Sequence, residues 1–267
     1  MSTPTELRTV TAAEPHTTPV LVARGMTKRY RDVVALADVS ITLDRGTSTA
    51  VVGPSGSGKS TLLHCLAGFT RPDDGEVNLD GMRISHLGPR TATKLRRERF
   101  GFVFQSDQLL AELPAVENVA LPLMLSGMSR RAATARADEW FAPLSLDGLQ
   151  LRRPGQLSGG QVQRVSIARA LAVSPSVVFA DEPTAALDRS TGRATIEVLT
   201  SSCRAAGAAL LVVTHDPEVA AACERTVRMR DGRVLEVTHT ARPSAIHSVP
   251  SIDASYVAES PSVGGNR

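Results

Sequence analysis

What this chain lacks narrows it first. The longest near-uninterrupted apolar run, AAGAALLVV, occupies residues 205–213, whereas a helix needs about 20 apolar residues to cross a bilayer. A membrane-spanning helix is therefore not expected, and any membrane role needs a separate partner. The opening stretch, MSTPTELRTVTAAEPHTT, has neither a basic start nor an apolar core. No secretory signal is expected there, and the protein is predicted to be cytoplasmic. Cysteine is scarce: Cys65, Cys203 and Cys223 are odd in number and show no metal-type spacing. They suit buried thiols in a reducing compartment. Lysine is just as scarce, since Lys28, Lys59 and Lys94 are the only three among 30 basic side chains. Aromatics make up 3% of the chain, and none interrupts the basic cluster KLRRER at 94–99, which contains Glu98. That cluster reads as a solvated helix face, and with a net charge of only +3 no nucleic-acid partner is expected.

What is present is ample for a core. The chain has 267 residues, 42% of them hydrophobic, and a mean hydropathy of −0.04. This predicts a soluble globular unit, either one domain or a domain with a subdomain. Residues 1–19 are rich in Thr, Pro and Ala, and 238–267 in Ser, Pro and Gly without periodicity. Both read as disordered tails around a folded unit at 20–237. Within it VSITL (39–43) alternates, DRG turns, and STAVVG (48–53) runs into a glycine-rich stretch, giving strand, turn, strand and then helix. VVFAD (177–181) and LLVVTH (210–215) are short apolar runs ending in polar residues. Buried parallel strands whose carboxyl ends meet a site have this form. Residues 189–207 suit a crossover helix, and about 106–172 reads as mostly helical. In its last helix Val165, Ala168 and Ala172 share a face that Ile167 and Leu171 widen. The predicted fold is α/β with an inserted helical subdomain at about 106–172.

GPSGSGKS at 53–60 fits G-x-x-x-x-G-K-[ST] throughout, a pattern expected by chance in roughly one sequence in a hundred of this length. Its place between strand and helix gives the motif meaning. From Gly53 through Pro54, Ser55, Gly56, Ser57 and Gly58, successive backbone N–H groups can converge on phosphate oxygens. Lys59 adds a point charge for the β- and γ-phosphates, the Ser60 hydroxyl can ligate Mg²⁺, and Thr61 completes the run. VVFADE (177–182) supplies two acids. Asp181 at the strand end can hold Mg²⁺, and Glu182, one step nearer the γ-phosphate of ATP, can polarise an attacking water. A solvated lysine and a surface acid pair are the plain alternatives, and the two motifs together argue against them.

A second anion-binding helix start lies far downstream. QLSGGQVQRVS at 156–166 puts Ser158, Gly159, Gly160 and Gln161 directly before a helical pattern. A merely capped helix gives no reason for both glycines. LSGGQ (157–161) resembles the signature of the ATP-binding-cassette (ABC) ATPases. Tyr30 is similar to that family's adenine-stacking aromatic, and Gln105, ending FGFVFQ, to its Q-loop residue. EPTAALD (182–188) resembles the catalytic Glu with the D-loop that ends in Asp188, and His215 in VVTHD resembles the switch histidine. The resemblance covers about 20–237; Ala185 stands where the family often has Gly or Ser.

The resemblance implies a P-loop NTPase core with an antiparallel β-subdomain and an inserted helical subdomain. It implies that two cassettes pair head to tail. Each ATP would then lie between one phosphate loop and the other subunit's Ser158, Gly160 and Gln161. Glu182, His215 and Gln105 would serve catalysis, and Ser60, Asp181 and Gln105 would face Mg²⁺. A homodimer would work with an integral-membrane permease on the inner face of the cell membrane. LPAVENVALPL (113–123) resembles the lipoprotein-releasing and macrolide-exporting branch, which implies export. The alternative is a cassette that moves no cargo and drives envelope remodelling through a membrane partner. Chromosome-organising cassettes carry long coiled coils between Q-loop and signature, and 106–156 has no sustained heptads. His64, His86 and Trp140 are given no functional role.

Overall fold

The computed structural model describes residues 19–105 and 109–240. Along the chain, β1 (Pro19–Tyr30), β2 (Val33–Asp44) and β3 (Ser48–Val52) precede α1 (Lys59–Leu66). Then come β4 (Asp74–Leu79), β5 (Met82–Arg83), α2 (Pro89–Arg99) and β6 (Phe100–Phe104). A largely helical stretch holds α3 (Ala115–Leu125), α4 (Arg130–Asp138) and α5 (Gly159–Leu171). It is followed by β7 (Val177–Asp181), α6 (Arg189–Ala205), β8 (Ala209–Val213), α7 (Pro217–Ala221), β9 (Arg225–Arg230) and β10 (Arg233–His239). Of the expected tails, 1–18 and 241–267 lie outside the described residues.

Two sheets result. One is antiparallel, in the order β2-β1-β4-β5; the other runs β10-β9-β3-β8-β7-β6, parallel from β9 to β6 with β10 antiparallel at its edge. The α/β class and the antiparallel β-sheet are as expected. β2 and β3, adjacent in sequence, do not pair. The chain leaves the antiparallel sheet at Asp44, whose carbonyl accepts from the Thr47 amide (3.3 Å) and hydroxyl (2.9 Å), and enters the parallel one at Ser48. In β2 the buried residues are Leu36, Val39, Ile41 and Leu43. The odd step from 36 to 39 coincides with a register shift and with Asp38 at φ 56°. A bulge there turns both ends of the strand to the same core.

Side-chain alternation divides the parallel sheet between two hydrophobic clusters. On one face Val177, Phe179, Leu211 and Val213 meet α1 and the antiparallel sheet through Leu62, Leu63, Leu66 and Leu36. On the other, Val178, Ala180, Leu210 and Val212 meet α5 and α6 through Val165, Ala168, Leu171, Ile196 and Leu199. The α5 face anticipated from its sequence is buried against the sheet. Close approach is possible because β6 carries Gly101, where a Cβ would collide with the Ala170 carbonyl. Burying a ring as large as Phe179 is worth about 3 kcal/mol or more by the usual cost of Phe→Ala.

The stretch after β6 is less helical than its composition suggests. Between α4 and α5 it turns irregularly, anchored by the buried Trp140, Phe141, Leu144 and Leu146, which share a core with the sheet. Asn118, fully buried in α3, pins the preceding loop. Its amide accepts from Leu110 N (2.7 Å) and donates to the carbonyls of Leu110 and Leu113 (3.0 Å each). All three cysteines are buried and free. Burial pushes the Cys65 thiol up to about 11 and Cys223 to about 12, and raises Cys203 as well.

Candidate active site

Because β3, β8, β7 and β6 are parallel neighbours in that order, their carboxyl ends form one row. The residues singled out in the sequence follow strand by strand. The glycine loop leaves β3, His215 follows β8, Asp181 and Glu182 end β7, and Gln105 follows β6. The register Phe104–Asp181–Val213 sets these ends level.

The loop is shaped by its own backbone. Lys59 Nζ donates to the carbonyls of Gly53 (2.8 Å) and Pro54 (2.9 Å), drawing the loop into a ring. Gly58, at φ 98°, lies so close to β2 that a Cβ would collide with the Ala35 carbonyl. As the N-cap of α1 it offers no side chain, so the first-turn amides of Lys59, Ser60 and Thr61 have no cap. Pro54, Ser55, Gly56 and Ser60 are exposed, whereas Ser57 is buried and accepts at its carbonyl from Gly232 N (3.1 Å).

At the β7 end, Asp181 is only partly exposed. Burial first, then the charge of Glu182, raises its carboxyl, while Lys59 and His64 pull it back. Glu182 sits at φ 48°, with its amide donating to Val213 O (2.9 Å). Its carboxylate accepts from Thr214 Oγ1 (3.2 Å) and from His215 Nδ1 (2.7 Å). That pairing, ahead of the general field of Glu182, raises His215, whose ring stays 74% exposed. Thr214 was not singled out in the sequence; its position between buried strand and His215 is the only local signal.

Tyr30 ends β1 with 47% of its surface exposed. Asp188 caps α6: its Oδ1 accepts from Ser190 N (3.1 Å), Ser190 Oγ (2.6 Å) and Thr191 N (3.0 Å), which hold the carboxyl well below the usual range.

LSGGQ is not brought to the loop of its own chain. α5 packs on α3, β6 and α6, and α1 on β2 and β8. β3 and β6 lie three strand spacings apart, about 14 Å. Ser158 Oγ accepts from Gln161 N (3.3 Å) and Gln161 Oε1 from Ser158 N (2.9 Å), a reciprocal cap. Gly160 has an intramolecular reason that the sequence concealed. A Cβ there would stand 2.6 Å from the Thr191 methyl of α6, so one of the two glycines is explained by packing alone.

Residues 36–185 match the ABC transporter family. The chain belongs to that family, and it is an ATP-binding, ATP-hydrolysing cassette. Among particular relatives, it is 43% identical over 226 residues to the lipoprotein-releasing system ATP-binding protein LolD of Bordetella pertussis, covering 83% of this chain and 98% of that one. It is 42% identical over 241 residues to the macrolide export ATP-binding/permease protein MacB of Bradyrhizobium diazoefficiens, covering 88% of this chain. The chain spans only 37% of that MacB's length. A solved dimeric cassette, MJ0796 in a post-hydrolysis state bound to ADP and Pi, superposes with a TM-score of 0.73 at 38% identity, over 82% of this chain and 98% of that one.

Proposed function

We propose that the cassette hydrolyses Mg²⁺-ATP held between the phosphate loop of one copy and the LSGGQ helix of a second, and that closing of the pair drives a separate integral-membrane permease in export. The observation that carries this reading is the separation just described. One fold holds an open, uncapped phosphate loop at α1, which packs on β2 and β8, and a glycine-rich helix start at α5, which packs instead on α3, β6 and α6. A second copy supplies what each end lacks, and the dimeric state of MJ0796 supports the same arrangement. ATP favours the closed pair because it touches both copies only there.

Lys59 and the first-turn amides of α1 bind the phosphates, and Tyr30 stacks on the base. The metal site fits its residues. Ser60, Asp181 and Gln105 offer oxygen donors, the set Mg²⁺ takes alongside substrate phosphates. Asp181, raised by burial and by Glu182, is a carboxyl that a divalent cation would relieve. When bound, the ion neutralises charge on the transferring phosphoryl group. Glu182 takes the proton of the attacking water. His215 Nδ1 and Thr214 Oγ1 orient its carboxylate, and each oxygen keeps a further lone pair for that water. His215 keeps its other ring nitrogen for the γ-phosphate.

No helix among the described residues is long and apolar enough to cross a membrane. The contact surface for the permease is the part of the chain after Gln105 that holds α3, α4 and α5. The names of the relatives, for lipoprotein release and macrolide export, favour export over the cargo-free mechanical alternative. Glu182→Gln tests the core of this proposal. It is expected to bind ATP, to stop turnover and to accumulate dimer in light scattering with size-exclusion chromatography. A variant that stays monomeric with ATP, or hydrolyses it at the wild-type rate, would overturn the reading.

A further inference from the structure

Of the three lysines in this chain, one closes the phosphate loop and another stands beside Tyr30 on β1. Lys28, two residues before Tyr30 on β1, places its ammonium over the tyrosine ring, 5.5 Å from the centroid. The ammonium is held there, since Lys28 Nζ donates to Asp73 Oδ1 at 2.9 Å with only 15% of the lysine side chain exposed. Asp73 grips the same strand twice more. Its Oδ2 accepts from Arg29 N (2.7 Å), and its own amide donates to Thr27 O (2.8 Å). The Lys28 bond, followed by the Arg29 amide, keeps the Asp73 carboxyl below its ordinary range. Asp73 stands in the segment that leaves α1, the helix whose first turn faces the phosphates.

From this geometry we infer that Lys28 is a positioning and specificity-determining residue for the base. Anchored by Asp73, it occupies one face of Tyr30 and primes the free face to stack on the purine of ATP. This rests on the reading of Tyr30 as the stacking residue. A cation on one side of an aromatic ring draws its π-density and fixes its orientation, and the ring's remaining surface is left for an electron-rich base. The clamp also ties the strand that meets the base to the chain leaving the helix that meets the phosphates. Base and phosphate contacts are thereby held at a fixed separation. A lysine suits the place because its compact charge fits over the ring while still reaching Asp73.

The test is a double-mutant cycle on the full chain, measuring binding of Mg²⁺-ATP and of inorganic tripolyphosphate, which has no base, by calorimetry. Lys28→Met is expected to weaken ATP by roughly 3- to 5-fold and to leave tripolyphosphate unchanged. Tyr30→Ala should weaken ATP further, and the double variant should be no weaker than Tyr30→Ala alone. Lys28→Arg, which keeps the charge and the Asp73 pair, should restore most of the affinity. Asp73→Asn, which keeps the shape and releases the ammonium, should copy Lys28→Met and serves if the methionine variant folds poorly. If Lys28→Met weakens tripolyphosphate equally, or its effect simply adds to that of Tyr30→Ala, the lysine acts on phosphate and the inference falls. If Tyr30→Ala weakens ATP and neither Lys28→Met nor Asp73→Asn does, stacking stands and the role of Lys28 is overturned. If Tyr30→Ala itself leaves ATP binding unchanged, the stacking reading fails and takes the inference with it.

Discussion

Two helix starts in this molecule, at α1 and α5, are built from the same small residues and finished in opposite ways. Gly58 before α1 carries no side chain, so nothing caps the first turn. Ser158 before α5 completes a reciprocal cap with Gln161, so that start is satisfied as it stands. An uncapped helix start awaits an anion at all times. A capped one must loosen an existing bond before it can donate elsewhere, and gains little until a second ligand surface arrives with it. On the proposed reading, the difference gives nucleotide affinity to the first end and state-dependence to the second. A single copy should hold ATP well with the loop alone, and the α5 end should matter only on closure.

The largest effect expected is at the open end. Lys59→Ala removes a charge-assisted contact and the ring closure over Gly53 and Pro54, and should weaken ATP binding by the monomer roughly 100-fold in calorimetry. Loss of less than a few-fold would erase the contrast between the two ends. Gly160→Ala should act on the fold, costing about 1–3 kcal/mol in urea unfolding because the new methyl meets Thr191. Thr191→Ser, which deletes the opposing methyl, should return much of that. Failure of the rescue would mean that Gly160 is held for a contact outside its own chain.

Ser158→Ala should cost about 1 kcal/mol of stability through the lost cap, leave ATP binding by the monomer unchanged, and lower turnover. A fall in monomer affinity would place the signature in the same site as the loop. The smallest effect is electrostatic. His215 should titrate above its ordinary value of 6.5 in NMR because Glu182 holds its protonated form, and Glu182→Gln should bring it back. The sign follows from the raised folded value. The pairing contributes fully below 6.5 and is lost as pH rises through the raised value.

The chemical half of this site is legible in the sequence because its signals are local. GPSGSGKS, the apolar run into Asp181 and Glu182, and the run into His215 each announce a strand end and a polar group together. The parallel α/β core and the buried face of α5 follow from the same periodicities. Features decided by distant partners stay hidden. Alternation at 39–43 identifies a strand but not its sheet, so the crossing from β2 to β3 could not be read. The irregular path between α4 and α5 is set by where Phe141, Leu144 and Leu146 find their pocket, against a composition that favours helix. Lys28 and Asp73 are 45 positions apart, and no short window contains both.

The concealed sulfurs give the folded chain a particular chemical silence. With Cys65 near 11 and Cys223 near 12, and with Cys203 sealed between α6 and the sheet, almost none of the reactive thiolate exists at neutral pH. Thiol-directed oxidants and alkylating reagents therefore find no cysteine to react with while the cassette stays closed upon its core. Labelling of Cys203 counts the moments when α6 lifts away from β8, so its rate of modification becomes a clock for that local opening.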